Sequence, residues 1–430
     1  MSEDRTARGG ERVVVTGMGA ICAAGRTPEA IWDALAAGRS AAAPVRQWND
    51  PDSPAPMVAE VTAVDDRTLV EDRKLHKLIR RTDMFGLYAS ARAVEASDLL
   101  PFRDGLDAAA ATLFNDRTGI FAGSGGGAYQ NQYEFFPLIT AAQGEMEAFG
   151  RQLGETVNPM WLLRNLPNNV LCHVGIRYGF KGTNACITNH CVSGILAAAE
   201  AAAALSTGEA DRAIAVGHDA PIEAETVLHY HRLGLLATDA LRPFDAARTG
   251  IFLGEGAAAL VLERAEAAAG RGAAVLGELL GSGCTSDAAG LMALRPDGES
   301  LAQAIEAALA DAGLRPADVG MIVAHGNGTR QSDASEAAAI RRVFGSSIPP
   351  VTGFKWAFGH LIAASGILDL ALALLALRRR VVPGVATLRS LDPAFGPLPV
   401  CPTPQIPRSE VGLVLCRGFG GLNVAVLVRA

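Results

Sequence analysis

Residues 184–196 read N-A-C-I-T-N-H-C-V-S-G-I-L. A β-prone run feeds directly into an Ala-rich helical stretch, which leaves Cys191 at the turn or at the first helical position. Free amides and the helix dipole at such a place favour a thiolate and predict a thiol pKa below its usual ~8.5. The same amides can hold an oxyanion on an attached acyl group. A buried, inert cysteine is the competing reading of Cys191, and it is the one adopted for Cys186 inside the preceding strand. A second stretch, starting at His360, reads H-L-I-A-A-S-G-I-L-D. Both stretches contain S-G-I-L, at Ser193 and at Ser365, with the reactive-type residue two positions ahead in one and five in the other. The offsets differ by about one helical turn. Chance likeness between Ala-rich helices explains this as well as duplication does. A duplicated half-domain would set two reactive side chains at two helix N-termini around a shared centre.

Outward from these stretches, β-branched runs alternate with Ala- and Leu-rich ones along the chain. Strands are predicted at 12–16, 118–122, 184–188, 213–217, 257–262, 321–324, 411–416 and 424–428. Helices are predicted at 29–37, 84–95, 192–205, 301–312, 332–343 and 359–377. Such alternation argues for a layered α/β fold, and no Pro/Ser-rich linker divides it. The chain has 430 residues, 49% hydrophobic and 19% charged, with a net charge of −7. That composition is globular and speaks against nucleic acid or an anionic membrane as the main partner. Residues 1–11 are polar with two glycines and predict a frayed tail without the apolar core of a signal peptide. The apolar run Leu361–Leu377 carries Ser365, Gly366 and Asp369, which fits a buried helix better than a membrane span. Seven scattered cysteines without a secretory signal point to reduced thiols and a cytoplasmic protein.

His325 ends a predicted strand in M-I-V-A-H-G-N-G-T-R-Q-S-D-A-S-E, a sheet edge where ligands bind. A turn histidine bonded to local backbone is the plainer alternative. Asp333 and Glu336 open the next helix and are explained as well by favourable first-turn carboxylates. His360, after Gly359 and before a long apolar helix, is placed where a neutral imidazole is favoured. Lys355 and Asp369 flank it as ion-pair partners or as a solvated pair. The C-R-G-F-G-G-L-N turn holds Phe419 and Gly420, either a simple tight hairpin or a gate over a substrate. His218, Asp219, His229, Tyr230 and His231 match no standard metal spacing, and lining a pocket or a subunit contact suits them better. The run D-R-K-L-H-K-L-I-R-R-T-D holds Lys74, Lys77, Arg80 and Arg81. As a helix it would put Lys74, Lys77 and Arg81 near one face, either simply solvated or steering an acidic partner.

Together these segments resemble the β-ketoacyl-acyl carrier protein synthases of types I and II, condensing enzymes of the thiolase fold. The nucleophile motif C-x-S-G is matched by Cys191, Ser193 and Gly194. H-G-x-x-T is matched by His325, Gly326 and Thr329, and K-x-x-x-G-H by Lys355, Gly359 and His360. P-F-D-x-x-R-x-G and G-E-G follow at 243–250 and 254–256, with R-V-V-V-T-G-M-G-A from Arg12 and G-S-G-G-G from Gly123. The resemblance implies an α/β thiolase-like fold of two duplicated βαβαβαββ halves in α-β-α-β-α layers. The halves would span 12–268, with insertions, and 269–430, forming one unit. It implies a Cys191, His325 and His360 triad supported by Lys355, Asp369, Thr329 and the Phe419 amide. A pocket would involve Phe419, Gly420 and Tyr230, and carrier docking would use Lys74, Lys77, Arg80 and Arg81. The enzyme itself would bind no metal or cofactor. Acyl and malonyl groups would arrive on the 4′-phosphopantetheine arm of an acyl carrier protein. A dimer, of like or homologous subunits, would pair through the strand ahead of the nucleophile.

Departures from the family pattern stand at His190, Asn327, Asp369 and Arg417, and in the shortened C-terminal loop. With Tyr230 they lean toward polyketide or polyene synthesis over housekeeping fatty-acid synthesis. The rival reading is a non-catalytic, chain-length-factor-like partner of a condensing heterodimer. Such subunits usually lack the nucleophile, and Cys191 is present. A degradative thiolase would need a second cysteine where His360 stands. A Cys-His hydrolase would leave one histidine without a task.

Overall fold

Ten strands form one continuous ladder in the order β3-β2-β4-β5-β1-β6-β10-β9-β7-β8. They are β1 (Val13–Cys22), β2 (Thr118–Ser124), β3 (Asn184–Ile187), β4 (Arg212–Asp219) and β5 (Gly256–Arg264). The rest are β6 (Gly277–Ser286), β7 (Met321–Val323), β8 (Val351–Thr352), β9 (Val411–Gly418) and β10 (Leu422–Arg429). The computed structural model describes residues 11–48, 53–55, 57–62, 65, 68–125 and 135–430. The predicted tail lies outside them except for Glu11, which pairs with Arg264, and so do Gly126 and Gly127 of the Gly-rich run.

Numbered within its own half, the first five strands run 3-2-4-5-1 and the last five run 1-5-4-2-3. Parallel and antiparallel pairings repeat as well. β2 is parallel to β3 and β4, and β7 is parallel to β8 and β9. β5 is antiparallel to β4 and β1, as β10 is to β9 and β6. The halves meet through three residue pairs between Val13–Val15 and Gly277–Leu279.

The apolar helices Ser193–Ser206 and Ser365–Arg379 pack on each other between the half-sheets, and Arg81–Ala96 and Glu299–Ala312 cover the outer faces. The S-G-I-L repeat sits at the central contact. A Cβ on Gly194 would lie 2.5 Å from the Ala363 carbonyl oxygen, and one on Gly366 would lie 2.8 Å from the Ile195 Cβ. Each central helix follows a 3₁₀ turn, His190–Val192 or Ile362–Ala364. In both turns the first residue is left-handed, His190 at φ 53° and Ile362 at φ 47°. For a β-branched residue that conformation is a genuine outlier, so the turn is imposed by the fold. Cys191 therefore corresponds to Ala363, and His360 stands ahead of the repeated turn. That is why the two offsets from S-G-I-L differ.

The continuous helix predicted from 359 to 377 is accordingly corrected. His360 sits in a bridge with Leu253, and the helix begins at Ser365. Strands β6 and β8 and the helices Asn169–Tyr178 and Ala224–Arg232 were not predicted. Among the described residues no helix is long and apolar enough to cross a membrane.

Candidate active site

Cys191 rides on the turn between β3 and the Ser193–Ser206 helix, 6% exposed. Ser193 Oγ donates to the His190 carbonyl oxygen at 2.8 Å and fastens the turn. Gly418, at the end of β9, lies above Cys191. A Cβ there would stand 3.6 Å from the Cys191 Cβ and 3.7 Å from its amide nitrogen. Burial pushes the thiol pKa well above its usual range, with Cys416 adding to the effect and Lys355 opposing it. This corrects the lowered pKa predicted from the helix terminus: desolvation of the buried side chain is the largest influence on it.

His325 follows β7 and is 1% exposed. Glu336 accepts the His325 amide at 2.7 Å and the Gly326 amide at 2.9 Å, clamping the turn. Asp333 accepts from Phe244 N at 2.7 Å and Gly328 N at 3.1 Å. Both carboxylates are fully buried, so they are braces of the site and not solvated first-turn charges. Asn327 Oδ1 accepts from Thr329 N at 3.0 Å and Thr329 Oγ1 at 2.9 Å, so this departure builds the local turn.

His360 is held as an extended residue, its amide donating to Phe252 O at 2.7 Å and its carbonyl accepting from Gly254 N at 2.9 Å. The two imidazoles stand edge to face, ring centres 5.2 Å apart. Their tautomers follow from their partners. His325 Nδ1 accepts from Arg417 N at 3.3 Å. His360 Nδ1 accepts from Ile362 N at 3.1 Å and lies 3.0 Å from Ser365 Oγ, which itself accepts from Leu361 N. With Nδ1 an acceptor in each ring, the neutral imidazole carries its hydrogen on Nε2. Burial, then the Lys355 charge, pushes both pKa values well below the usual histidine range.

Lys355 Nζ lies 2.8 Å from Asp369 Oδ2, both side chains fully buried. Burial opposes the ammonium, yet the facing carboxylate holds the lysine pKa above its ordinary value. The shorter Asp369 thus still closes the pair, and the solvated-pair reading is excluded.

Cys191, His325 and His360 line one cavity of about 550 Å³, with Tyr230, Asn327, Thr329, Arg417 and Phe419 in its wall. Gly420 does not line it. Its positive φ of 82° shapes the β9–β10 turn, and its amide donates to Leu291 O at 2.8 Å. Arg417 is buried beneath, its Nε donating to Asn423 Oδ1 at 2.8 Å and NH1 to Ser332 O at 3.2 Å. Sequence reasoning missed what His190 does. Its Nδ1 is 3.0 Å from Cys191 Sγ, its Nε2 is 3.3 Å from Tyr230 Oη, and its ring centre is 4.9 Å from that of Phe419. An imidazole beside a candidate nucleophile was the signal for it.

The basic run is not one helix face. Leu75–Lys77 is a single 3₁₀ turn and the helix starts at Arg81. Lys74 and Lys77 are exposed, whereas Arg80 pairs with Asp83 and Arg81 with buried Glu255. His218 Nδ1 is 2.9 Å from Thr82 Oγ1 inside β4, away from exposed His229 and His231. Among the described residues no three His, Cys, Asp or Glu side chains gather as a metal site.

Comparison with known proteins bears on the family and the fold. The model of the β-ketoacyl synthase N-terminal domain matches residues 10–268, and that of the C-terminal domain matches residues 276–389. The chain is 32% identical to nodulation protein E of Rhizobium meliloti (strain 1021) over 423 residues, 97% of this chain and 99% of the relative. It is 31% identical to 3-oxoacyl-[acyl-carrier-protein] synthase 2 of Staphylococcus aureus (strain COL) over 433 residues, 97% and 98% of the two chains. The solved ishigamide ketosynthase/chain length factor superposes with a TM-score of 0.86 at 27% identity, covering 98% of this chain and 99% of that one.

Proposed function

Because this chain belongs to the β-ketoacyl synthase family, with its thiolase fold, we propose that it joins acyl units by decarboxylative Claisen condensation. An acyl group passes from the phosphopantetheine thioester of an acyl carrier protein to Cys191. A malonyl-carrier thioester then loses carbon dioxide, leaving an enolate whose oxygen accepts from His325 Nε2–H and His360 Nε2–H. The enolate carbon attacks the acyl thioester. The amides of Cys191 and Phe419 hold the tetrahedral oxyanion until it collapses and expels the Cys191 sulfur. Burial, helped by the charge of Lys355 paired with Asp369, keeps both rings neutral and donating. The enzyme needs no metal or redox cofactor for this sequence of steps.

The observation that carries the reading is the acceptor role of both Nδ1 atoms, which leaves two N–H donors in one cavity with the thiol. Two donors converging on one oxygen suit an enolate, and a Cys-His hydrolase would have no use for the second. The test is carbon dioxide release from carboxyl-labelled malonyl-carrier protein. His325→Ala and His360→Ala should each lower it by roughly 10²–10³-fold, the usual cost of one oxyanion donor, while Cys191 still takes up acyl groups. Unchanged release in either variant would contradict the assignment.

Lys74 and Lys77 are the proposed receivers of an acidic carrier-protein helix, with Arg80 and Arg81 bracing the turn from inside. Among the described residues β3 ends the ladder, and its outer edge is the proposed pairing site for a second copy or a homologous subunit. The departures His190 and Arg417, with Tyr230, favour a polyketide or polyene substrate over a housekeeping fatty acid; of the three, Tyr230 and Arg417 line the cavity. All seven cysteines are free, which suits work in the reducing cytoplasm.

A further inference from the structure

We propose that His190 is the base that removes the Cys191 thiol proton during acyl loading, with Tyr230 holding the tautomer that makes this possible. The inference rests on the condensing-enzyme reading for its substrate and on this chain's own residues for everything else.

A buried thiol is a poor nucleophile until something takes its proton, and burial here raises its pKa well above the usual range. Neither His325 nor His360 is free to do so. Each Nδ1 already accepts a backbone N–H, so each Nε2 bears a hydrogen. His190 Nδ1 lies 3.0 Å from Cys191 Sγ. For that nitrogen to accept, the ring's hydrogen must sit on Nε2, and Tyr230 Oη stands 3.3 Å away to receive it. The Phe419 ring packs against the imidazole, the two ring centres 4.9 Å apart and the planes tilted by 31°. The left-handed backbone is not peculiar to this histidine, since Ile362 repeats it in the other half. The fold supplies the turn, and this sequence puts a base on it where a small residue would leave the thiol without one. Burial lowers the His190 pKa to about 4, so the ring is unprotonated at neutral pH and takes the thiol proton in step with carbon–sulfur bond formation, not as a standing imidazolium beside a free thiolate.

The step balances. His190 Nδ1 takes the thiol proton, and Cys191 Sγ bonds the acyl carbon of the carrier thioester. The C–S bond to pantetheine breaks, and the departing pantetheine sulfur receives the proton from His190. The imidazole returns neutral and nothing is oxidised or reduced.

Two readings of the same thiol test this: acyl uptake from acyl-carrier protein by intact mass, and alkylation of Cys191 by iodoacetamide across pH. The other titratable groups facing the pair are Lys355, Asp219, Cys416, Tyr230 and His360, and all stay in place in the His190 variants. Wild-type alkylation should be nearly flat from about pH 5 to 8. His190→Gly keeps the left-handed backbone, and His190→Asn keeps a polar group that cannot carry the proton. Both should load acyl groups roughly 10²-fold slower at pH 7, as loss of a general base does, and alkylate about tenfold faster per pH unit. Added imidazole should restore loading in His190→Gly. Tyr230→Phe should slow loading about tenfold while the profile stays flat.

Wild-type rates in both His190 variants, or a slow but still flat profile, would overturn the role of His190. An unchanged Tyr230→Phe would overturn the tautomer assignment. If wild type takes up no acyl group yet shows the flat alkylation profile that the variants lose, the condensing reading fails and the base assignment stands.

Discussion

Lys355 and Asp369 form an ion pair closed off from water, so removing one partner leaves the other as an uncompensated buried charge. Lys355→Met should therefore cost about 3–5 kcal/mol in denaturant unfolding. Lys355→Met with Asp369→Leu should recover much of that stability without restoring activity, because the histidines would lack the facing charge. Equal stability of the single and double variants would contradict this. At this scale the sequence singled out Cys191, His325 and His360, each lying in a motif with a chemical reason for its residue type, and the fold brings the three to one cavity. The hydrogen-bond states were not. His325 is oriented by Arg417 and His360 by Ile362 and Ser365, and the first of these contacts joins segments far apart in the chain. The thiol pKa was misread for a related reason: sequence shows a helix terminus but not the burial that opposes it.

Among the elements, β6 escaped notice because G-E-L-L-G-S-G-C-T-S has three glycines and no steady alternation. The glycines are there for contact. A Cβ on Gly283 would lie 2.2 Å from the Ala304 carbonyl oxygen of the covering helix, just as one on Gly19 would lie 2.2 Å from Ala89 O. Gly283→Ala must push helix from strand, and should lower unfolding stability by about 1–3 kcal/mol. No loss in a thermal or denaturant melt would show that the helix can give way freely. The short β8, two residues long, lay below what any periodicity reveals. The basic run divides at the 3₁₀ turn, and that division has its own consequence. Lys74→Glu with Lys77→Glu should raise the KM for the carrier protein several-fold while kcat holds, and the effect should fade with salt. A carrier-protein KM that does not move would refute docking there.

Across the molecule, two copies of one strand order bring Cys191 from the first half and both histidines from the second to a single cavity. Alternating strands and helices, and the S-G-I-L echo, made the α/β class and the duplication legible. The repeated left-handed turn that aligns Cys191 with Ala363 was not legible, because it is a backbone property shared by unlike residues. Such a buried core also sets a pH response. Burial raises the pKa of Asp219 and of Asp333 to about 7. Between about pH 4 and 7 the folded state thus binds more protons at these sites than the unfolded chain, and their contribution to stability falls as pH rises. The stability of wild type relative to Asp333→Asn should accordingly decline by a few kcal/mol across that window, to about the level expected for a single strongly shifted carboxylate. A difference independent of pH would show that Asp333 is ionised throughout. The most direct examination of the chemistry is intact-protein mass measurement with acyl-carrier protein, followed by malonyl-carrier protein. Cys191 should gain one acyl group and lose it as a β-ketoacyl product two carbons longer forms. No adduct on Cys191, with condensation appearing only beside a second homologous subunit, would mean that this chain shapes a pocket for a partner and does not itself react.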